Sequence, residues 1–118
     1  MHAAELIWNS WENGQKIVSL PKKLIPSSRK EAYKIQENLE KFSNDIIAGW
    51  KIAATSKEGQ KHIGVGGPLA GRILQNKLFK PDDTLNFGHN KMAVAEPEFA
   101  FKIGTTLKPT KILYNLED

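Results

Sequence analysis

Three stretches of this 118-residue chain carry residues whose types and spacing suit chemistry. The first is Glu96 and Glu98. On a strand, residues two apart share a face and lie about 7 Å apart at the backbone. Two hard oxygen donors so placed can share one divalent cation, and magnesium keeps further positions for water and substrate oxygens. The same spacing also describes a solvent-facing strand, and Glu-x-Glu alone favours that plainer alternative. The second is Lys51, in the middle of the mostly apolar run from Ile46 to Ala54. Desolvation there would lower its pKa and make it a usable acid or base. The alternative is a lysine at a strand edge with its ammonium in water. The third is Gly64-Val65-Gly66-Gly67 ahead of Pro68. It has Leu69 where the dinucleotide fingerprint needs a third glycine, and no Gly-Lys-Ser/Thr follows, so a turn is expected rather than a phosphate cradle. His2, His62 and His89 lack metal-ligand spacing and are expected on the surface. No Gly-x-Ser-x-Gly supports a serine nucleophile. Trp8, Trp11 and Trp50 suit core or interface positions better than a base-stacking surface.

Helices are expected first, then β-structure. Ala4, Ile7, Trp8 and Trp11 share one helix face, and Gly14 is a stop. Ser28 and Glu31 form a capping box for a helix over 29–42, with Ala32, Ile35, Leu39 and Phe42 as its apolar stripe. The run 46–54 reads as a buried strand, with Trp50 and Ile52 on one side and Gly49 and Lys51 on the other. Thr55 and Glu58 suggest a second capping box over a short helix ending near His62. A short strand is expected over 69–74, and a turn at Pro81-Asp82-Asp83. Residues 84–87 and 91–103 read as a hairpin joined through Gly88-His89-Asn90. In its second arm Ala95, Phe99, Phe101 and Ile103 lie on one face, and Val94, Glu96, Glu98, Ala100 and Lys102 on the other. Pro97 lacks an amide donor and marks an edge or a bulge. The division is a single partial domain over 1–118: a helical segment over 1–44, a β-rich segment over 45–107 holding the Glu-x-Glu strand, and a truncated tail over 108–118. The apolar stretch that begins at Ile112-Leu113 leaves no long closing element.

Composition excludes several classes. The hydrophobic share of 40% and charged share of 25% are ordinary globular values, which argues against wholesale disorder. A compact domain of this length would have a radius of gyration of roughly 13–14 Å. The absence of cysteine removes disulfides, thiolate metal sites and a cysteine nucleophile. The net charge of +4 is spread evenly, +2 in each half, without a basic tail, so a nucleic-acid partner is not expected. No apolar run approaches the ~20 residues that span a bilayer, and no signal peptide is visible, so neither a membrane partner nor export is expected and the default location is cytoplasmic.

Several blocks, taken together, resemble the 2-keto-4-pentenoate hydratases of the fumarylacetoacetate hydrolase superfamily. They are Ala32-Tyr33 with Ile35-Gln36; Gly49-Trp50-Lys51-Ile52-Ala53-Ala54-Thr55-Ser56; Gln60 with Ile63-Gly64-Val65, Gly67-Pro68 and Gly71-Arg72; and Ala95-Glu96-Pro97-Glu98-Phe99-Ala100-Phe101. The likeness covers most of residues 28–107. It implies an α+β fold, N-terminal helices followed by mixed β-structure, here an incomplete fumarylacetoacetate-hydrolase-like β-roll. It implies magnesium or manganese held by three acidic residues, two of which match Glu96 and Glu98, with Lys51 near a small 2-oxo acid substrate. The implied activity is that of a hydratase-type lyase on 2-hydroxy-dienoates or 2-oxo-enoates. Apolar strands left without partners should drive self-association, so a homo-oligomer is expected. A 2-oxo-dioate decarboxylase on the same metal platform is the related alternative. Leu69 stands where many members of the family carry an acid. Family members are also longer, and their third acidic ligand follows the Glu-x-Glu strand. The chain is therefore expected to carry part of the site. A non-catalytic remnant or oligomerisation module, and a small basic nucleic-acid binder, are the readings from other classes.

Overall fold

A computed structural model describes residues 2–110 and 113–115. Three helices and two strands follow in order: α1 (Ala3–Glu12), α2 (Arg29–Ser43), β1 (Ile47–Ala53), α3 (Lys57–Ile63) and β2 (Leu69–Leu74). The chain is thus mixed α+β, helices first. Single 3-10 turns lie at Lys22–Leu24 and Gln75–Lys77.

Local chemistry sets the boundaries. The His2 amide donates to the Glu5 carboxylate at the start of α1. Past its end the chain reverses at Gly14, whose φ is +59° and whose missing Cβ would lie 2.5 Å from the His89 ring. Ser28 caps α2 by accepting from the Glu31 amide at 3.2 Å. Glu31 reaches one residue further back than a capping box requires, accepting from the Ser27 amide and hydroxyl at 2.7 and 2.8 Å. Those two bonds hold the Glu31 carboxyl below its ordinary pKa. Asn44 ends α2 in the left-handed conformation. The cap of α3 is Ser56, one residue later than expected, with its oxygen 3.0 Å from the Gly59 amide. Gly64, at φ +71°, closes α3, so the glycine cluster forms the expected turn.

β1 and β2 pair antiparallel in a two-stranded sheet, Trp50 opposite Arg72 and Lys51 opposite Gly71, with an irregularity between Ile47 and Gly49. α1 packs on α2. The outer edge of β2 is closed by α2. The Ala70 amide donates to the Tyr33 hydroxyl at 3.0 Å, and the Ala70 carbonyl accepts from the Gln36 side-chain amide at 3.1 Å. Arg72 is held by Gln36 at 3.2 Å and by the Glu40 carboxylate. These polar side chains do for β2 what a neighbouring strand would do.

Three expectations change. β1 is not a buried strand: its residues alternate between half-buried and exposed, with Trp50 and Ile52 on the exposed side. The hairpin over 84–103 does not form. The turn is present, with the Asn90 amide 3.1 Å from the Phe87 carbonyl, but the residues on either side have no ladder. Pro97 removes one donor, and the short sheet offers this segment no paired edge among the described residues. Finally, the radius of gyration is 16.6 Å, above the value for a compact domain of this length. Apolar burial explains it: Ala3, Ala4 and Leu74 are the buried hydrophobics among the described residues, while Phe99 and Phe101 are almost fully exposed. The expected apolar stretch at Ile112-Leu113 lies partly outside the described residues.

The clasp is testable. Tyr33→Phe leaves the Ala70 amide without its partner and is expected to cost about 1 kcal/mol. Urea denaturation checks this as a lower midpoint at unchanged slope. An unchanged midpoint would mean that the hydroxyl does not hold the strand.

Candidate functional site

Lys51 is placed by β1 and by the turn that follows it. Ala54, at φ +55°, ends the strand in the left-handed region. The Gln60 side-chain amide ties α3 back to the Ala54 carbonyl at 3.0 Å. Gln60 is buried. With the C-terminal end of β1 so fixed, alternation sends Lys51 to the face opposite Trp50 and Arg72.

On that face Lys51 meets the Glu-x-Glu segment. Its Nζ lies 3.0 Å from Glu96 Oε2 and donates a close hydrogen bond to Glu98 Oε1. The two carboxylates reach it from a segment without strand pairing, so no ladder sets their shared direction. The side chains of Lys51, Glu96 and Glu98 are 40%, 59% and 47% exposed, so the cluster is wet and its pairing energy is screened.

Electrostatics reverse the expectation for Lys51. Its pKa is raised above the ordinary 10.5, first by the hydrogen bond to Glu98 and then by that to Glu96, with a smaller opposing effect of desolvation. Desolvation is weak because the side chain keeps water. Paired in this way, the charged form of Lys51 is favoured, and it can donate hydrogen bonds and hold negative charge. Glu96 and Glu98 supply two hard oxygen donors on one cation, a donor set that fits part of a magnesium or manganese site. Among the described residues, no group of three His, Asp or Glu side chains converges.

A second cluster lies on the other face. Arg72 stacks over Trp50 with its guanidinium carbon 4.8 Å from the ring centroid. Lys30, Tyr33, Lys34, Glu37, Trp50 and Arg72 line an open cleft of about 380 Å³. Sequence reasoning assigned no role to Arg72, Tyr33, Gln36 or Glu40. The available signal was the polar spacing of Tyr33, Gln36 and Glu40 along α2, beside the apolar stripe. Trp8 and Trp11 stack edge-on at 5.4 Å, while Trp11 and Trp50 are about half exposed rather than core. The three histidines are exposed.

No family model matches the chain, and it matches no curated protein and no solved structure. Among the described residues, no helix is long and apolar enough to cross a membrane.

The lysine pairing has a pH signature. Because the folded pKa of Lys51 is raised, the pairing contributes fully below the ordinary lysine pKa and is lost as pH rises through the raised value. In an NMR titration of the Lys51 side chain, the wild type is expected to hold its proton to higher pH than the Glu96→Gln/Glu98→Gln variant. The same Lys51 titration in both proteins would contradict the contact.

Proposed function

We propose that the chain carries part of the site of a metal-dependent, hydratase-type lyase acting on 2-hydroxy-dienoate or 2-oxo-enoate acids. One observation supports the reading above the others. Lys51 and Glu98, 47 residues apart in sequence, meet with Glu96 in one cluster, and these are the three side chains that the resemblance assigns to the site. Glu96 and Glu98 would hold magnesium or manganese, which when bound supplies Lewis-acid stabilisation of enolate charge on a 2-oxo acid. Lys51, held as an ammonium, fixes negative charge: it can bind the substrate carboxylate or hydrogen-bond the developing enolate oxygen. Water addition to the activated double bond then gives a 4-hydroxy-2-oxo acid. Decarboxylation of a 2-oxo-dioate needs the same stabilised enolate and is the sister reaction of this site.

A non-catalytic oligomerisation module is the second reading. It is favoured by the nearly complete exposure of Phe99 and Phe101 and by the small number of buried apolar residues among those described. Apolar surface of this kind is covered at low cost by association. In either reading a homo-oligomer is the expected assembly.

The two readings separate in one assay. With manganese present, the lyase reading expects loss of dienoate absorbance on mixing with a 2-hydroxy-dienoate. Glu96→Gln/Glu98→Gln is expected to lower kcat/KM by at least the roughly 100-fold that even a change behind a metal ligand can cost. A stable oligomer in the ultracentrifuge without metal, combined with no turnover at any metal concentration, would favour the module.

A further inference from the structure

We propose that the cleft on the Trp50 face of the sheet binds a nucleoside monophosphate, a planar heteroaromatic ring carrying a phosphate monoester. Trp50 and Lys51 point to opposite faces of β1, so the inference is independent of the lyase reading. The cleft has a volume of about 380 Å³, at the lower end of the range for small-ligand sites, which suits one ring and one anionic group.

Three kinds of group converge on it. The first is a stacking surface. The Arg72 guanidinium covers part of the Trp50 ring, 4.8 Å from its centroid, yet Trp50 is 54% exposed. Arg72 is itself fixed by Gln36 and Glu40. An indole held in place and left half open is a platform for a second planar group. The second is a pair of cations. Lys30 and Lys34 stand one turn apart on α2 and share a helix face. Neither has an acidic partner among the described residues. Arg72 is already neutralised by Glu40, so the two lysines are the positive charge that the cleft has to offer. A phosphate monoester carries about −1.5 to −2 at neutral pH and matches two ammoniums, whereas a carboxylate matches one. The third is a donor and an acceptor between ring and phosphate. The Tyr33 hydroxyl accepts from the Ala70 amide, which leaves its own proton to donate. Glu37 is the one acid lining the cleft. Its carboxylate repels a bare anion but accepts from sugar hydroxyls or a ring amine. The combination favours an anion that brings its own donors over inorganic phosphate.

The test is an NMR titration of the full chain with AMP, following the three indole N–H signals. The Trp50 signal is expected to move with AMP, and those of Trp8 and Trp11 to stay. Adenosine and inorganic phosphate each carry part of the ligand and are expected to bind at least about tenfold more weakly. Lys30→Gln/Lys34→Gln is expected to weaken AMP binding about tenfold and to leave adenosine binding unchanged. Lys57→Gln/Lys61→Gln removes the same charge at the same spacing from α3 and is expected to change nothing. A Trp50 signal that stays still at millimolar AMP would overturn the proposal. So would inorganic phosphate binding as well as AMP, because the ring would then contribute nothing. Equal losses from the two lysine pairs would also overturn it, leaving only attraction to the chain's overall positive charge. Circular dichroism checks that each variant is folded, and the comparison of the three ligands on the wild type needs no variant.

Discussion

Both outward-facing backbone groups of Ala70 are bonded to side chains of α2, the amide to Tyr33 and the carbonyl to Gln36. Two residues along the strand, the Arg72 side chain reaches Gln36 and Glu40. A two-stranded sheet alone is marginal in water, and an open edge invites mispairing. Here the edge is closed by polar side chains at helical spacing, and the helix that supplies them is itself backed by α1. The orientation of β1 follows from its register with β2, and the direction of Lys51 follows from β1. A helix-to-strand clasp on one side of the sheet therefore places a lysine on the other.

The two faces use their cations differently. Arg72 is enclosed by Glu40, Gln36 and the Trp50 ring, and it builds the fold. Lys51 is half in water and paired with carboxylates from a distant part of the chain, and it builds the candidate site. An exposed ion pair adds little to stability, so its conspicuous feature is chemical. It fixes a protonated lysine beside two hard oxygen donors. The pairing favours the charged form of Lys51, which can donate hydrogen bonds and hold negative charge.

Much of the helical part was legible because its signals are local. Ser28 before a stripe of apolar residues marks α2, and Asn44 and Gly64 end their helices in the left-handed conformation that suits those residue types. The cap of α3 was misplaced by one residue because Thr55 and Ser56 are both good caps, and only the backbone decides between them. The β part was less legible. Alternation over 94–103 states which side chains share a face, but a strand also needs a neighbour, and no short-range pattern reports whether one is there. The sign of the Lys51 shift was hidden for the same reason: it depends on Glu96 and Glu98, which are local to each other and distant from Lys51 in sequence. Their co-location was implied by resemblance to a family, while the clasp by Tyr33, Gln36 and Glu40 had only a helical spacing to announce it.

The candidate site depends on direct contact between Lys51 and the Glu96-Pro97-Glu98 segment. A water-soluble carbodiimide joins an amine to a carboxylate with no spacer, so it reports contacts at ion-pair distance. Mass spectrometry of the proteolysed, cross-linked chain is expected to find Lys51 joined through an amide bond to Glu98 or Glu96, at protein concentrations low enough to exclude links between copies. A Lys51 that stays unmodified, or joins other carboxylates while this pair stays free, would contradict the central claim.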